Sequence, residues 1–369
     1  MIALQTLTRV IARDTTPESL PKTYIHPKML TILGTYKCTA RCKNCCFDSN
    51  PWLTQRLSLD NILSFIHEGS QYSSVESVVF SGGECFLLGD DLVRAVEFAT
   101  CKGLKTRCVT NGYWAKSLSH GRKRLQQLQN AGLCELNIST GDFHQQWVSE
   151  EAVVNAASLG VDLNLESTVI VVELQKERRV TIERLLENPR LRTLYQNRAR
   201  YHFHMIESPW MPMDARETID QPAGRLLTRE NVHLRHGCDS ILSTIVVTPT
   251  KEIGFCCGLS RELIPELNKE WAENSLSELL AEAGKDFMKI WLFVDGPERI
   301  LAWAAGKDPK IDWEGRYAHH CHACLALFRD PLVRKSIAEN YRERVDDVLM
   351  RYSVLLRYQE LLDGETYAT

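Results

Sequence analysis

The sequence predicts an α/β protein: a parallel sheet of repeated strand–helix units, a smaller α+β region after it, and a closing helix. Three observations carry this. Six short β-favouring runs alternate with helical segments between residues 29 and 206, the pattern of parallel strands joined by crossover helices. The alternation stops after Pro212, where a hairpin pattern takes over. The 13 cysteines are an odd number and fall in motif-like groups, which suits metal ligation in a reducing compartment better than a disulfide framework.

Bulk properties narrow the function classes. A chain of 369 residues accommodates one large domain and a smaller one. A formal charge of −3 gives no general electrostatic attraction to nucleic acid. The first residues carry Arg9, Arg13 and Asp14 without an uninterrupted apolar core, so no signal peptide is expected. No run of about 18 apolar residues exists, which argues against a membrane span. The expected location is cytoplasmic.

The elements follow in order. Residues 29–35 read as a first strand that ends just before Cys38, Cys42 and Cys45, placing these three in a loop at its carboxyl end. Ser58 caps a helix whose apolar pattern runs through Ile62, Phe65 and Ile66. Residues 75–81 form a second strand, followed at once by Gly82-Gly83-Glu84. A helix over 90–102 leads to a third strand over 106–110, which ends in Asn111-Gly112. Helices over 122–131 and 150–159 flank a fourth strand, 134–140. A fifth strand over 164–172, a longer helical segment over 180–194 and a sixth strand over 201–206 complete the series. Ligands of such sheets bind beyond the carboxyl ends of the strands, where the Cys triad, Gly-Gly-Glu and Asn111-Gly112 all fall.

Residues 213–237 read as a linker, and 244–247 with 253–256 as a hairpin around residues 248–251. Helical segments around 275–305 precede a His/Cys-rich patch over 319–324. Val345, Val348, Leu349, Tyr352, Leu355, Leu356 and Leu362 recur at helical spacing, so a last helix should pack on the main domain. The expected organisation is an extension over 1–28, the alternating domain over 29–212, a linker over 213–237, the smaller domain over 238–330 and the closing helix over 331–369.

Three thiolates spaced C-x3-C-x2-C at Cys38, Cys42 and Cys45 can hold three irons of a [4Fe–4S] cluster. The fourth iron stays open to a substrate or cofactor. Zinc sites usually supply paired C-x2-C or Cys/His sets, which a lone triad fits poorly. In Gly82-Gly83-Glu84 two glycines allow close backbone approach and a carboxylate can accept from a cationic amino group; a plain turn is the alternative.

The triad and its context resemble the radical S-adenosylmethionine (SAM) superfamily. The resemblance covers about residues 29–206 and implies a partial (β/α)6 barrel. It also implies SAM chelated to the open iron and cleaved reductively to methionine and a 5′-deoxyadenosyl radical, which abstracts a substrate hydrogen. Gly82, Gly83 and Glu84 match the superfamily's SAM-binding motif. Ser139 matches a ribose-binding position. Gly141 stands where relatives often have Asp, and Asp142 follows one residue later; Asp142 and His144 are open to helix capping or substrate contact instead. Thr110 and Asn111 face the methionine or ribose end, or form a simple turn. Glu166 could face the barrel. Asn44 replaces the aromatic residue frequent before the third Cys, and Cys46 is not counted as a ligand.

Cys238, Cys256, Cys321 and Cys324 suffice to close a second [4Fe–4S] cluster. Their arrangement resembles the Twitch domain of radical SAM enzymes, a shortened SPASM domain; zinc is the alternative for this group taken alone. Asp330 occupies the place of a further SPASM cysteine, so one auxiliary cluster is expected. Lys251 replaces a hairpin glycine. Cys257 competes with Cys256 as ligand, and His319, His320 or His322 could replace a thiolate. Cys85, Cys101, Cys108 and Cys134 are read as core or core-edge residues. A closed second cluster implies an electron acceptor for a substrate radical, hence net oxidation. The expected substrate is a ribosomally made peptide (RiPP biosynthesis) that becomes cross-linked. A sugar or cyclitol alcohol dehydrogenase is the alternative, and an iron–sulfur electron-transfer or sensing protein the non-enzymatic one. A reductant such as flavodoxin or ferredoxin is implied as partner; nucleic acid and membrane are not.

Overall fold

Strand β1 (Met29–Leu33) lies at the heart of one nine-stranded sheet. The computed structural model describes residues 25–43, 45–209, 211–256, 263–271 and 275–366, with side chains up to residue 358 in the last helix. Residues 1–24, which make up most of the expected extension, together with Asn44 and Cys257, lie outside the described residues. On one side β1 is followed in space by β2 (Ser77–Ser81), β3 (Lys105–Thr110), β4 (Glu135–Thr140), β5 (Ser167–Leu174) and β6 (Phe203–Pro209), all parallel. On its other side β1 pairs in parallel with β7 (Thr244–Val247), Met29 lying opposite both Ser77 and Thr244. β8 (Glu252–Gly254) and β9 (Asn268–Glu270) then extend the sheet antiparallel. The expected hairpin is therefore part of the same sheet as the expected barrel, joined through the strand that carries the triad.

Helices cover one face. α1 (Leu59–Gly69) starts where Ser58 Oγ accepts from the Asn61 amide, and it buries Ile62, Phe65 and Ile66. α2 (Asp90–Cys101), α3 (Leu118–Asn130) and α4 (Glu150–Asp162) follow the next three strands. Along β4, Leu136, Ile138 and Thr140 are buried and Glu135, Asn137 and Ser139 half-buried. This period of two separates the helix-covered face from the open face. The segment 180–194 breaks into α5 (Ile182–Leu185), α6 (Pro189–Gln196) and α7 (Arg198–Tyr201). Asn188 caps α6 and Pro189, lacking an N–H, can only begin it.

The C-terminal part is mostly helical. Ser275 and Glu278 form a reciprocal capping box for α8 (Leu276–Ala283). α9 (Phe287–Lys307) is broken at Gly296, φ +76°, just before Pro297. α10 (His320–Arg329), α11 (Pro331–Asn340) and α12 (Arg342–Thr366) complete the fold. α12 buries Val348 and Tyr352 against the rest of the core. Among the described residues no helix is long and apolar enough to cross a membrane.

Candidate active site

The Cys loop and the Gly-Gly-Glu loop are tied to each other by backbone. Gly83 N donates to Thr35 O at 2.7 Å and Glu84 N to Lys37 O at 3.0 Å. Gly82 has φ +113°, and a Cβ there would come 2.5 Å from Thr35 O; one on Gly83 would overlap the Lys37 carbonyl. Two glycines are needed because the approaching group is the backbone leading into Cys38.

Glu84 is used differently from its sequence reading. Its carboxylate is buried and accepts from Thr110 Oγ1 at 2.8 Å, Asn111 N at 2.8 Å and Phe86 N at 3.1 Å. It thus joins the ends of β2 and β3 and spends both oxygens on the chain's own donors. Burial raises its pKa to about 7 against these three hydrogen bonds. Asn111 Nδ2 in turn donates to Thr39 Oγ1 at 3.1 Å and reaches Cys38 Sγ at 3.5 Å.

Around the triad, Ala40 N donates to Cys38 Sγ and Ser49 N to Cys45 Sγ, both at 3.4 Å. Burial pushes Cys38 and Cys42 up to about 12, and neighbouring sulfurs of the triad add to the rise. Two desolvated thiols such as Cys38 and Cys42 ionise together only beside a strong positive charge. Sulfurs that already receive amide donors, and need such a charge, fit an iron–sulfur cluster. Among the described residues no three His, Cys, Asp or Glu side chains are drawn in around a single metal ion.

Other predicted residues divide. Ser139 sits on the open face of β4, half-buried. Asp142 is committed to structure, accepting from Arg179 N and Val180 N at 2.9–3.1 Å and so pinning the loop after β5. Burial holds the His144 imidazole down at about 4. Glu166 lies just before β5 at the opposite rim, exposed and paired with Lys105 at 2.6 Å; a strand starting three residues later than expected puts it outside the barrel. The residue that reading missed is Glu173, near the end of β5. It is buried, keeps Oε1 without a partner, and takes the Phe143 amide on Oε2 at 3.2 Å. It is near enough to Cys42 to act on that thiol, and burial raises its own pKa to about 7. Gly141 is glycine because any Cβ would overlap Glu173.

The radical SAM superfamily model matches residues 32–187, the stretch just described. Those residues are similar to the radical SAM superfamily. One curated relative is YydG of Bacillus subtilis (strain 168), provisionally described as a peptide biosynthesis protein; it is 24% identical over 131 residues, 36% of this chain and 41% of that one. Among solved structures, anSMEcpe with bound AdoMet and Cp18Cys peptide aligns at a TM-score of 0.50 and 13% identity, over 85% of this chain and 99% of that one. Streptococcus suis SuiB bound to precursor peptide SuiA aligns at 0.43 and 13%, over 70% and 65%. The chain thus spans less than two thirds of YydG and of SuiB. The shared fold is the radical SAM partial barrel with a C-terminal extension of antiparallel strands and helices.

Three cysteines of the second group, Cys238, Cys256 and Cys324, lie near one another. Cys256 and Cys238 both act electrostatically on Cys324, whose pKa burial raises well above the usual thiol range. Cys321 is the second residue of α10 and Cys324 lies one turn on, with His319 Nδ1 accepting from the Cys321 amide at 3.0 Å. His320 Nδ1 lies 2.7 Å from Glu298 Oε2 as an ion pair. His322 is buried elsewhere, against Tyr317. The α9 break builds this corner. A Cβ on Gly237 would overlap the Phe293 carbonyl and one on Gly296 the His236 carbonyl, while Cys238 N donates to Leu292 O at 2.9 Å.

Proposed function

We propose that this chain is a radical SAM oxidoreductase that modifies a ribosomally made peptide, with Cys38, Cys42 and Cys45 holding the SAM-binding [4Fe–4S] cluster. The observation that carries the radical SAM reading is the lock between the Cys loop and Gly82-Gly83-Glu84, closed by Asn111 beside Cys38. When bound, the cluster supplies the electron that splits SAM into methionine and a 5′-deoxyadenosyl radical, which takes a hydrogen atom from the substrate. Gly82 and Gly83 bring backbone to the rim, and Ser139 offers a hydroxyl from the open face. Glu173 presents an unpaired carboxylate oxygen. Cys238, Cys256, Cys321 and Cys324 would hold an auxiliary cluster that accepts the electron left on the substrate, its proton going to solvent. The peptide reading draws on the provisional description of YydG.

Anaerobically reconstituted protein should carry about eight irons, and the Cys38/Cys42/Cys45→Ala variant about four. Reduced protein should release 5′-deoxyadenosine from SAM, and a co-expressed precursor peptide should lose two hydrogens by mass spectrometry. Zinc alone in the wild type, or no 5′-deoxyadenosine, would sink the radical SAM reading. A peptide of unchanged mass beside an oxidised sugar alcohol would move the substrate to the small-molecule class.

A further inference from the structure

From Arg216 to Leu226 the chain between β6 and β7 buries one side chain, and that side chain is polar. Gln221 is 7% exposed, and neither its Oε1 nor its Nε2 has a hydrogen-bond partner. The neighbouring backbone fixes where it lies. Lys176 N donates to Asp220 O at 2.9 Å, so this strap runs beside the carboxyl end of β5. Glu173 stands three residues before Lys176, is 3% exposed, and also keeps Oε1 without a partner. Ser139 is opposite Val171 in the sheet, so Glu173, two residues further on, projects from the same open face. The basic side chains of this corner are already engaged: Lys176 pairs with Asp220 at 3.8 Å and Arg178 with Glu207 at 2.5 Å.

An amide with neither its N–H nor its C=O satisfied is costly to bury, and so is a lone carboxyl oxygen. Three such atoms at one rim are accounted for by a ligand that supplies what they lack. A primary amide offers an acceptor and donors side by side, which match the N–H and C=O of a peptide backbone. A carboxyl oxygen next to it takes one further N–H or O–H. Resting on the peptide reading above, we propose that Gln221 and Glu173 form a substrate-docking site at the mouth of the barrel. In this assignment Gln221 pairs with a backbone amide of the peptide, and Glu173 accepts from an adjacent donor. The same rim carries the Cys triad, so a peptide anchored there lies across the candidate active site.

The test uses reconstituted full-length protein with SAM and, as probe, the fluorescein-labelled precursor peptide, its affinity read by fluorescence anisotropy. Gln221→Met and Glu173→Gln should each weaken binding about tenfold, the effect of losing a hydrogen bond in a dry site. The double variant should lose less than the product of about a hundredfold, because both residues grip one segment. Gln221→Met should keep the wild-type iron content. Without peptide it should melt at a higher temperature than wild type, since it removes two buried polar atoms that have no partner. A lower melting temperature makes Gln221 a structural residue and overturns the proposal. Unchanged affinity in either single variant, or the full product in the double one, overturns the shared site. A wild type that cleaves SAM but binds a sugar alcohol and not the peptide removes the peptide reading itself, before any variant is made.

Discussion

Two buried carboxylates at the candidate site, Glu84 and Glu173, show how burial and partners set a residue's role. Both are raised to about 7, burial being the leading cause, but Glu84 has both oxygens satisfied whereas Glu173 keeps one without a partner. The sign of the pH effect follows. Each binds its proton more tightly in the folded than in the unfolded chain. Its stabilising contribution is thus full below about pH 4.5 and is lost as pH rises through about 7. Denaturant midpoints of metal-free protein between pH 5 and 8 should show this slope. Glu84→Gln and Glu173→Gln should each flatten it, and an unchanged slope in both would be contrary evidence. Glu84→Gln should also cost about 1–3 kcal/mol near pH 7, because an amide NH2 would face donors that need an acceptor.

Glycines at the junctions of elements separate functional from incidental backbone. Gly83→Ala forces a Cβ onto the Lys37 carbonyl, so the loop after β2 must leave the Cys loop. Iron at the proposed Cys38/Cys42/Cys45 cluster should fall by about four per chain while the circular dichroism spectrum keeps its helical signal. Gly306→Ala, in α9 with open space around it, should be neutral or stabilise by up to about 1 kcal/mol. Equal iron loss in both variants would mean that the loop contact is not what holds the site. Gly296→Ala combines a positive φ with overlap on the His236 carbonyl. It should lower the melting temperature and take iron from the second group while sparing the first.

At the scale of the molecule, the strand before Cys38 and those between Cys238 and Cys256 share one sheet because β7 pairs with β1. The C-terminal helices hold the second group in place. Asp295, on α9 beside the break, accepts from Trp291 Nε1 at 2.8 Å and Arg351 Nη2 at 2.7 Å, and pairs with Arg344 at 3.3 Å. Asp295→Ala should cost about 1–3 kcal/mol. It should also make α12 cleavable in limited proteolysis before the barrel is attacked; unchanged cleavage order would show that Val348 and Tyr352 alone suffice to dock the helix.

The sequence by itself determined the strand–helix alternation, the rim that collects the triad, Gly-Gly-Glu and Asn111, and the helix start at Ser58. Those features rest on local period, caps and spacing, which neighbouring residues encode. It could not determine which chain group Glu84 would satisfy, since Thr110 and Asn111 reach it only when β3 lies beside β2. Strand β9 was illegible for a similar reason. Asn268–Glu270 is short and polar, and is a strand only because β8 offers it a partner. Glu173 was hidden by a two-residue error in the end of β5, and a residue's place along a strand decides which rim it reaches. The union of β7 with β1, and the ion pair of Glu298 with His320, were decided by the tertiary structure alone. Pairing between distant segments leaves no periodic trace in either one.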